Sequence, residues 1–256
     1  MRITILGSCS GTEPMPGRHH TSWTLQLGEE LFWFDAGECC SYTAHLLGLD
    51  LLQTRGIFIS HPHMDHVGGL PNLLWTMRKL SNVRKDYTPF ELPIFTSLPM
   101  QVEAIVTMLQ GTEGAFNTCF DINIKQIRDG ELLQKPIMVE ARHNSHMKPA
   151  PDGDWQAFSL RISAKGRVIV YSGDIGSIQE LDGWSDSCDL LMMETGHHSP
   201  QKVCAYLEEK QAQIGRLLFV HHGRSILNNP EGEREACRKL TRIPVDIAED
   251  GMSFTL

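Results

Sequence analysis

The stretch Ser60-His61-Pro62-His63-Met64-Asp65-His66 gathers three imidazoles and a carboxylate into a short run. Neutral imidazole and carboxylate are the preferred ligands of zinc and its neighbours, so these residue types point to a bound divalent metal. A lone histidine on an apolar face is ordinarily a satisfied core residue. With 12 His in 256 residues, however, four matching letters at this spacing arise by chance on the order of once in a thousand sequences.

Such side chains need rigid elements to aim them. Gly56-Ile57-Phe58-Ile59 is short, apolar and β-branched, which reads as a buried strand opening into the cluster. If the extended backbone continues through Pro62, His61 and His63 point to the same side, because side chains alternate with period two. Asp65 and His66 then fall in the turn before a helix. Pro71 marks the first turn of that helix, and Leu70, Leu73, Leu74 and Met77 form its apolar stripe.

Other apolar runs also stop at acid/base or ligating side chains. Leu31-Phe32-Trp33-Phe34 ends at Asp35, Val168-Ile169-Val170-Tyr171 leads to Ser172-Gly173-Asp174, Leu190-Leu191-Met192-Met193 ends at Glu194 with His197 and His198 just beyond, and Leu217-Leu218-Phe219-Val220 ends at His221-His222. This recurrence predicts strand carboxyl ends converging on one crevice, as in open α/β architectures. Between these runs, Trp23-Leu25-Leu27, Phe120-Ile122-Ile124 and Phe158-Leu160-Ile162 alternate as half-buried strands. Val102, Ile105, Val106 and Leu109 mark a helix closed near Gly111. Asp129-Gly130 reads as a hairpin turn, and the tail after Asp250-Gly251 as a closing strand. A rough halving near residue 135, each half with strands then helix, hints at duplication. The Gly-, Pro- and Ser-rich segment from Gly7 to Arg18 is long for a mere connection, which predicts a role near the site.

Composition sets the outer bounds. A chain with 41% hydrophobic residues and this length can bury a full core. No apolar run approaches the ~18 residues that span a bilayer, and Met1-Arg2-Ile3-Thr4-Ile5 enters a strand rather than a signal peptide. The lack of a spanning run predicts no membrane partner, and the seven cysteines, odd in number and without a Cys-x-x-Cys, fit reduced, buried thiols and predict a cytoplasmic protein. At net charge −8 the bulk field repels polyanions. Arg78-Lys79 and Arg84-Lys85 are the best basic candidates, and they read as a solvated helix end.

The set His61-x-His63-x-Asp65-His66, preceded by Phe34-Asp35-Ala36-Gly37 and followed by His146, Asp174 and His221, resembles the metallo-β-lactamase-fold superfamily. Leu6-Gly7-Ser8-x-Ser10-Gly11, Pro14 and Arg18, then Gly69-Leu70-Pro71 and Glu194-Thr195 with His198-Ser199, resemble its ribonuclease Z-like phosphodiesterase branch. The resemblance spans essentially the whole chain. It implies an α/β fold, a four-layer αβ/βα sandwich of two packed mixed β-sheets flanked by helices, in a single hydrolase domain over residues 1–256. It further implies two divalent metal ions, zinc with manganese or iron as alternatives. His61, His63 and His146 would hold the first, Asp65, His66 and His221 the second, and Asp174 would bridge them.

The sequence also departs from relatives of this fold. The β-lactamases use a cysteine ligand where Ser172-Gly173-Asp174 offers a carboxylate, and transfer-RNA processing enzymes carry a long basic arm that is not seen here. These departures favour a small phosphodiester, such as a cyclic nucleotide or an aryl diester, over transfer RNA or another RNA 3′ end. A basic surface for RNA would need assembly across a homodimer. In the expected mechanism a water shared by two cations is activated as hydroxide, Asp65 orients it, and His198, steered by Glu194, protonates the departing alkoxide, with His197 as its rival. Arg18 and Ser10 are candidate substrate contacts. His143, His222, His19 and His20 have no motif position and are assigned to supporting or surface roles. A lactonase or thioester hydrolase is the alternative, because the same attack works on carbonyls.

Overall fold

Alternating and all-apolar runs close into two seven-stranded mixed sheets, one in each of two compact units. The computed structural model describes residues 1–84, 88–112 and 116–256. Lys85 of the expected basic pair lies outside the described residues; Arg84 donates to the Asp50 carboxylate at 2.7 Å.

The first unit comprises residues 1–7, 19–127 and 250–255. Its strands are β1 (Arg2–Gly7), β2 (Ser22–Leu27), β3 (Glu30–Phe34), β4 (Thr54–Phe58), β5 (Phe90–Thr96), β6 (Phe120–Gln126) and β14 (Ser253–Thr255), in the order β14-β1-β2-β3-β4-β5-β6. Pairing is antiparallel from β14 to β3 and parallel from β3 to β6. Helices α1 (Cys40–Leu46), α2 (Met64–Val67), α3 (Leu70–Val83) and α4 (Pro99–Gln110) complete it. The expected stripe of α3 is buried with Leu6, Trp33, Ile57 and Ile94 in one core cluster, where each such side chain contributes roughly 1.5–3 kcal/mol. The aromatic residues of the central strands form a separate ladder: Trp23 on Phe34 at 4.2 Å, Phe34 on Phe58 at 5.1 Å and Phe58 on Phe95 at 4.7 Å between centroids. Packing on both sides therefore holds β3 and β4, whose carboxyl ends carry Asp35 and His61.

The second unit comprises residues 8–18, 128–249 and 256. Its strands are β7 (Gly130–Leu133), β8 (Met138–His143), β9 (Phe158–Ala164), β10 (Arg167–Tyr171), β11 (Leu190–Thr195), β12 (Leu217–His222) and β13 (Val245–Ile247), again antiparallel over the first four and parallel over the last four. Val203 and Leu207 of α5 (Pro200–Glu209) and Cys237 of α7 (Pro230–Arg238) cluster with Val170, Leu191, Met193 and Phe219 of the sheet, and Ile226 of the short α6 (Arg224–Asn228) joins them.

One turn differs from expectation. β6 is an edge of one sheet and β7 an edge of the other, so Asp129-Gly130 is the passage from one sheet to the next rather than a hairpin. The Asp129 carboxylate serves a tertiary contact instead, accepting the His143 backbone N–H at 2.6 Å. All seven cysteines are free thiols, and six of them are buried.

Candidate metal centre

In the first unit the motif departs from expectation in two details: β4 ends at Phe58, short of Ile59 and Pro62, and Asp65 and His66 lie within a short helix rather than in the turn before one. His63 keeps an extended backbone immediately before α2, which begins at Met64 and contains Asp65 and His66. His61 Nε2 lies 3.0 Å from His63 Nδ1, His66 Nε2 lies 3.5 Å from Asp65 Oδ2, and the His61 and His66 rings are 4.0 Å apart.

Asp35 organises this group from behind. Its Oδ1 accepts the Ser60 backbone N–H at 2.7 Å, and its Oδ2 accepts the Ser60 hydroxyl at 2.9 Å and lies 2.8 Å from His66 Nδ1. Because the carboxylate can only accept, the His66 proton sits on Nδ1 and Nε2 keeps its lone pair. Ser60 Oγ, whose proton goes to Asp35, in turn accepts from His61 Nδ1 at 3.1 Å, so His61 Nε2 also keeps its lone pair. Ligating histidines are typically tied through their other nitrogen in this way. Two inner nitrogens are thus prepared for a cation, and the donor chemistry fits a metal ion.

Small residues bring the strand end close. Ala36 N–H donates to the His66 carbonyl and Gly69 N–H to the Ala36 carbonyl, both at 2.7 Å. A Cβ on Gly37 would sit 2.6 Å from the Asp65 carbonyl oxygen. The Asp35-Ala36-Gly37 turn therefore clamps the backbone of the ligand motif, with Asp35 itself at φ 56. That left-handed conformation costs a non-glycine residue of order 1–3 kcal/mol.

In the second unit the donors come from four strand ends. Asp174 follows β10, and its carboxylate lies 3.3 Å from His221 Nδ1, 3.7 Å from His146 Nε2 and 3.7 Å from His197 Nδ1. His146, Asp174 and His197 form one group whose ligand atoms all lie within 4.8 Å of one another, and Glu194, His197 and His221 form a second. His221 is held at φ 49, a second left-handed non-glycine at the site. A Cβ on Gly196 would meet its Nδ1 at 2.6 Å.

Glu194 is fully buried. Burial pushes its carboxyl up, but the imidazoles of His197 and His221 beside it outweigh that and hold it at about 2. It accepts the His197 backbone N–H at 2.9 Å and lies 3.4 Å from both His197 Nδ1 and His198 Nε2. His197 is held above its ordinary value, chiefly by Glu194. His198 Nε2 also lies 3.1 Å from the Ile175 carbonyl.

Within each unit, then, the expected residues are neighbours. His61 meets His63, Asp65 meets His66, Asp174 meets His146 and His221, and Glu194 meets His198. The inclusion of His197 in both second-unit groups was not expected, nor were the supports given by Asp35 and Ser60. Asp35 had a visible signal, its place at a strand end. Arg18 and Ser10 have structural partners: Arg18 donates to Ser8 Oγ at 2.9 Å and the Ala248 carbonyl at 2.8 Å, and Ser10 Oγ to the His222 carbonyl at 2.8 Å. His222 is buried against the Ala248 carbonyl at 2.8 Å. His143 stacks on Trp155 at 4.2 Å, His19 lies 2.9 Å from Asp250, and His20 lies 3.7 Å from Glu38.

The family described as anti-Pycsar protein Apyc1 matches residues 1–223. A ribonuclease Z of Treponema pallidum (strain Nichols) is 50% identical over 147 residues, 57% of this chain and 44% of the relative. The chain spans less than half the length of several such curated relatives. Among solved structures, the metallo-β-lactamase fold protein YhfI from Bacillus subtilis superposes with a TM-score of 0.74 at 19% identity, covering 99% of this chain and 98% of that one. The short form of human tRNase Z gives 0.71 at 19% identity, covering 100% and 99%. The fold is that of the metallo-β-lactamases, and the resemblance to ribonuclease Z extends to sequence. Among the described residues, no helix is long and apolar enough to cross a membrane.

Proposed function

We propose, from the premise that the chain belongs to the family of the anti-Pycsar protein Apyc1, that it is a metal-dependent hydrolase of small phosphodiesters, acting as one domain over residues 1–256. The observation that carries this reading is the relay His61 Nδ1 to Ser60 Oγ to Asp35, with His66 Nδ1 on the same carboxylate. It presets two ring nitrogens as ligands, which a merely structural histidine pair does not need.

His61, His63 and His146 would hold one divalent ion, Asp65, His66 and His221 a second, and Asp174 would touch both. Zinc suits this nitrogen and oxygen set, and manganese or iron are substitutes. Two such ions, when bound, would supply an acidified water, its pKa lowered from 15.7 towards about 7, and would neutralise charge on a phosphate oxygen.

The remaining steps belong to the chain. Asp65 accepts a hydrogen bond from the attacking water and orients it. Asp35 keeps the His66 ring from turning. His198 donates a proton to the departing alkoxide, and Glu194, 3.4 Å from His198 Nε2, orients the ring that donates it. His197, also 3.4 Å from Glu194, is the second candidate for that proton.

Substrate size follows from charge. Net charge −8 gives little hold on a long polyanion, whose binding weakens with salt by a slope of about −0.9 per phosphate contacted on duplex DNA. Metal-reconstituted protein should therefore hydrolyse cyclic nucleotides or aryl diesters with weak salt dependence and cut precursor transfer RNA poorly. A panel of phosphodiesters, phosphomonoesters, thioesters and lactones tests this. Activity confined to thioesters or lactones would replace the phosphodiester reading, and efficient cutting of a transfer-RNA 3′ trailer at low salt would overturn the size argument.

A further inference from the structure

A cavity of about 530 Å³ in the second unit borders His198 and is lined among others by Ile178, Ser199, Lys202, Val203 and Tyr206. This volume falls in the range, roughly 300–1,000 Å³, that encloses a whole organic ligand. Resting on the assignment of His198 as proton donor, we propose that this cavity seats the leaving group of the diester and that Lys202 selects leaving groups carrying negative charge.

The placement follows from proton transfer. A group that protonates the departing oxygen must come within about 3 Å of it, so whatever that oxygen carries extends into the space beside His198. The walls suit a flat organic body: Val203 is buried, and Ile178 and the Tyr206 ring are partly exposed. The cavity is too large for a methyl or ethyl alcohol alone and accommodates an aryl or nucleoside moiety.

The charge preference comes from which groups around the cavity are already satisfied. Glu180 accepts the backbone N–H groups of Ser145, Gly176 and Ser177 at 2.9, 3.1 and 3.2 Å. Asp182 accepts the Tyr206 hydroxyl at 2.7 Å and lies 3.4 Å from Lys210 Nζ. Glu194 is fully buried among its histidines. Lys202 is exposed in the first turn of α5 and has no ion-pair partner among the described residues. Among the described residues no carboxylate lines the cavity and Lys202 is the ammonium that does, so the complementary substituent is a carboxylate or phosphate.

The test uses two diesters of matched shape, methyl 4-carboxyphenyl phosphate and methyl 4-carbamoylphenyl phosphate, on metal-reconstituted protein. Lys202→Met should raise KM for the carboxylate about tenfold with kcat unchanged, leave the neutral amide within about twofold, and be rescued by Lys202→Arg. The corresponding free phenols, 4-hydroxybenzoate and 4-hydroxybenzamide, are titrated calorimetrically in parallel. Tighter binding of the benzoate by wild type, lost in Lys202→Met, supports Lys202 as the charge-selecting group of the cavity even if neither diester is hydrolysed, in which case the phosphodiesterase reading fails and the leaving-group role with it. Equal response of both diesters, or equal binding of both phenols by wild type and variant, overturns it.

Discussion

The two units run the same strand programme. Each starts with four strands paired antiparallel and continues into four, counting the shared one, paired parallel. Their ways of presenting candidate metal ligands differ. The first unit concentrates His61, His63, Asp65 and His66 in one strand-to-helix connection. The second draws His146, Asp174, Glu194 and His221 from the ends of β8, β10, β11 and β12. A local motif can preserve its geometry through short-range turns, whereas a dispersed set depends on sheet register. The second set should therefore be more sensitive to changes elsewhere in its unit, and the first more sensitive to changes in its own backing.

The largest contrast should come from Asp174→Ala set against His63→Ala. If Asp174 touches both ions, its loss disturbs both positions, while His63→Ala weakens one. Elemental analysis should show metal content falling further in Asp174→Ala, with activity nearly abolished. Equal single-ion losses would remove the bridging role, and a wild type that takes up no transition metal would sink the whole reading.

Within the second unit, His198→Ala should slow substrates with basic alkoxide leaving groups by roughly 10²–10⁴ and spare nitrophenolate esters. The same comparison on His197→Ala separates the two candidates. If both leaving-group classes suffer equally in His198→Ala, the histidine serves binding or folding instead.

For the first unit, Asp35→Asn is the sharper probe. It keeps the shape but weakens the acceptor that holds His66 Nδ1 and Ser60, and should cost about 10–100-fold in metal affinity. Competition with a chromogenic chelator reads this directly, and unchanged affinity would reduce Asp35 to a packing role.

The smallest effect concerns stability and acid. Burial pushes His222 down to about 3, while in the unfolded chain it titrates near 6.5. Between these values the unfolded state binds a proton that the folded state refuses, so this group's contribution is present above pH 6.5 and declines as pH falls towards 3. Urea midpoints of chelator-treated protein at pH 7 and pH 5 should differ more in wild type than in His222→Gln. Matching slopes would assign the acid sensitivity to other groups.

How much of this was legible depended on sequence distance. The ligand motif, the α3 stripe and the strand runs ending at Asp174, Glu194 and His221 could be read because period, length and residue type act locally. The role of Asp35 could not, since β3 and β4 pair in parallel and bring Asp35 to Ser60 across a helix and a long connection. Asp129-Gly130 carries hairpin chemistry, yet its flanking strands belong to different sheets. Turn propensity is a local preference, and strand pairing overrode it.

By itself the chain determined the elements, the buried faces and the residue types at the strand ends, because these follow from side-chain period and from the chemistry of imidazole and carboxylate. Tertiary structure alone decided which nitrogen of His61 and His66 keeps its lone pair, that His197 joins Asp174 and Glu194, and that Arg18 is spent on Ser8 and Ala248. Those choices turn on contacts a few ångströms long, several between residues far apart in sequence such as Asp35 with His66 and Arg18 with Ala248, and the distant ones exist only once the sheets have set their register.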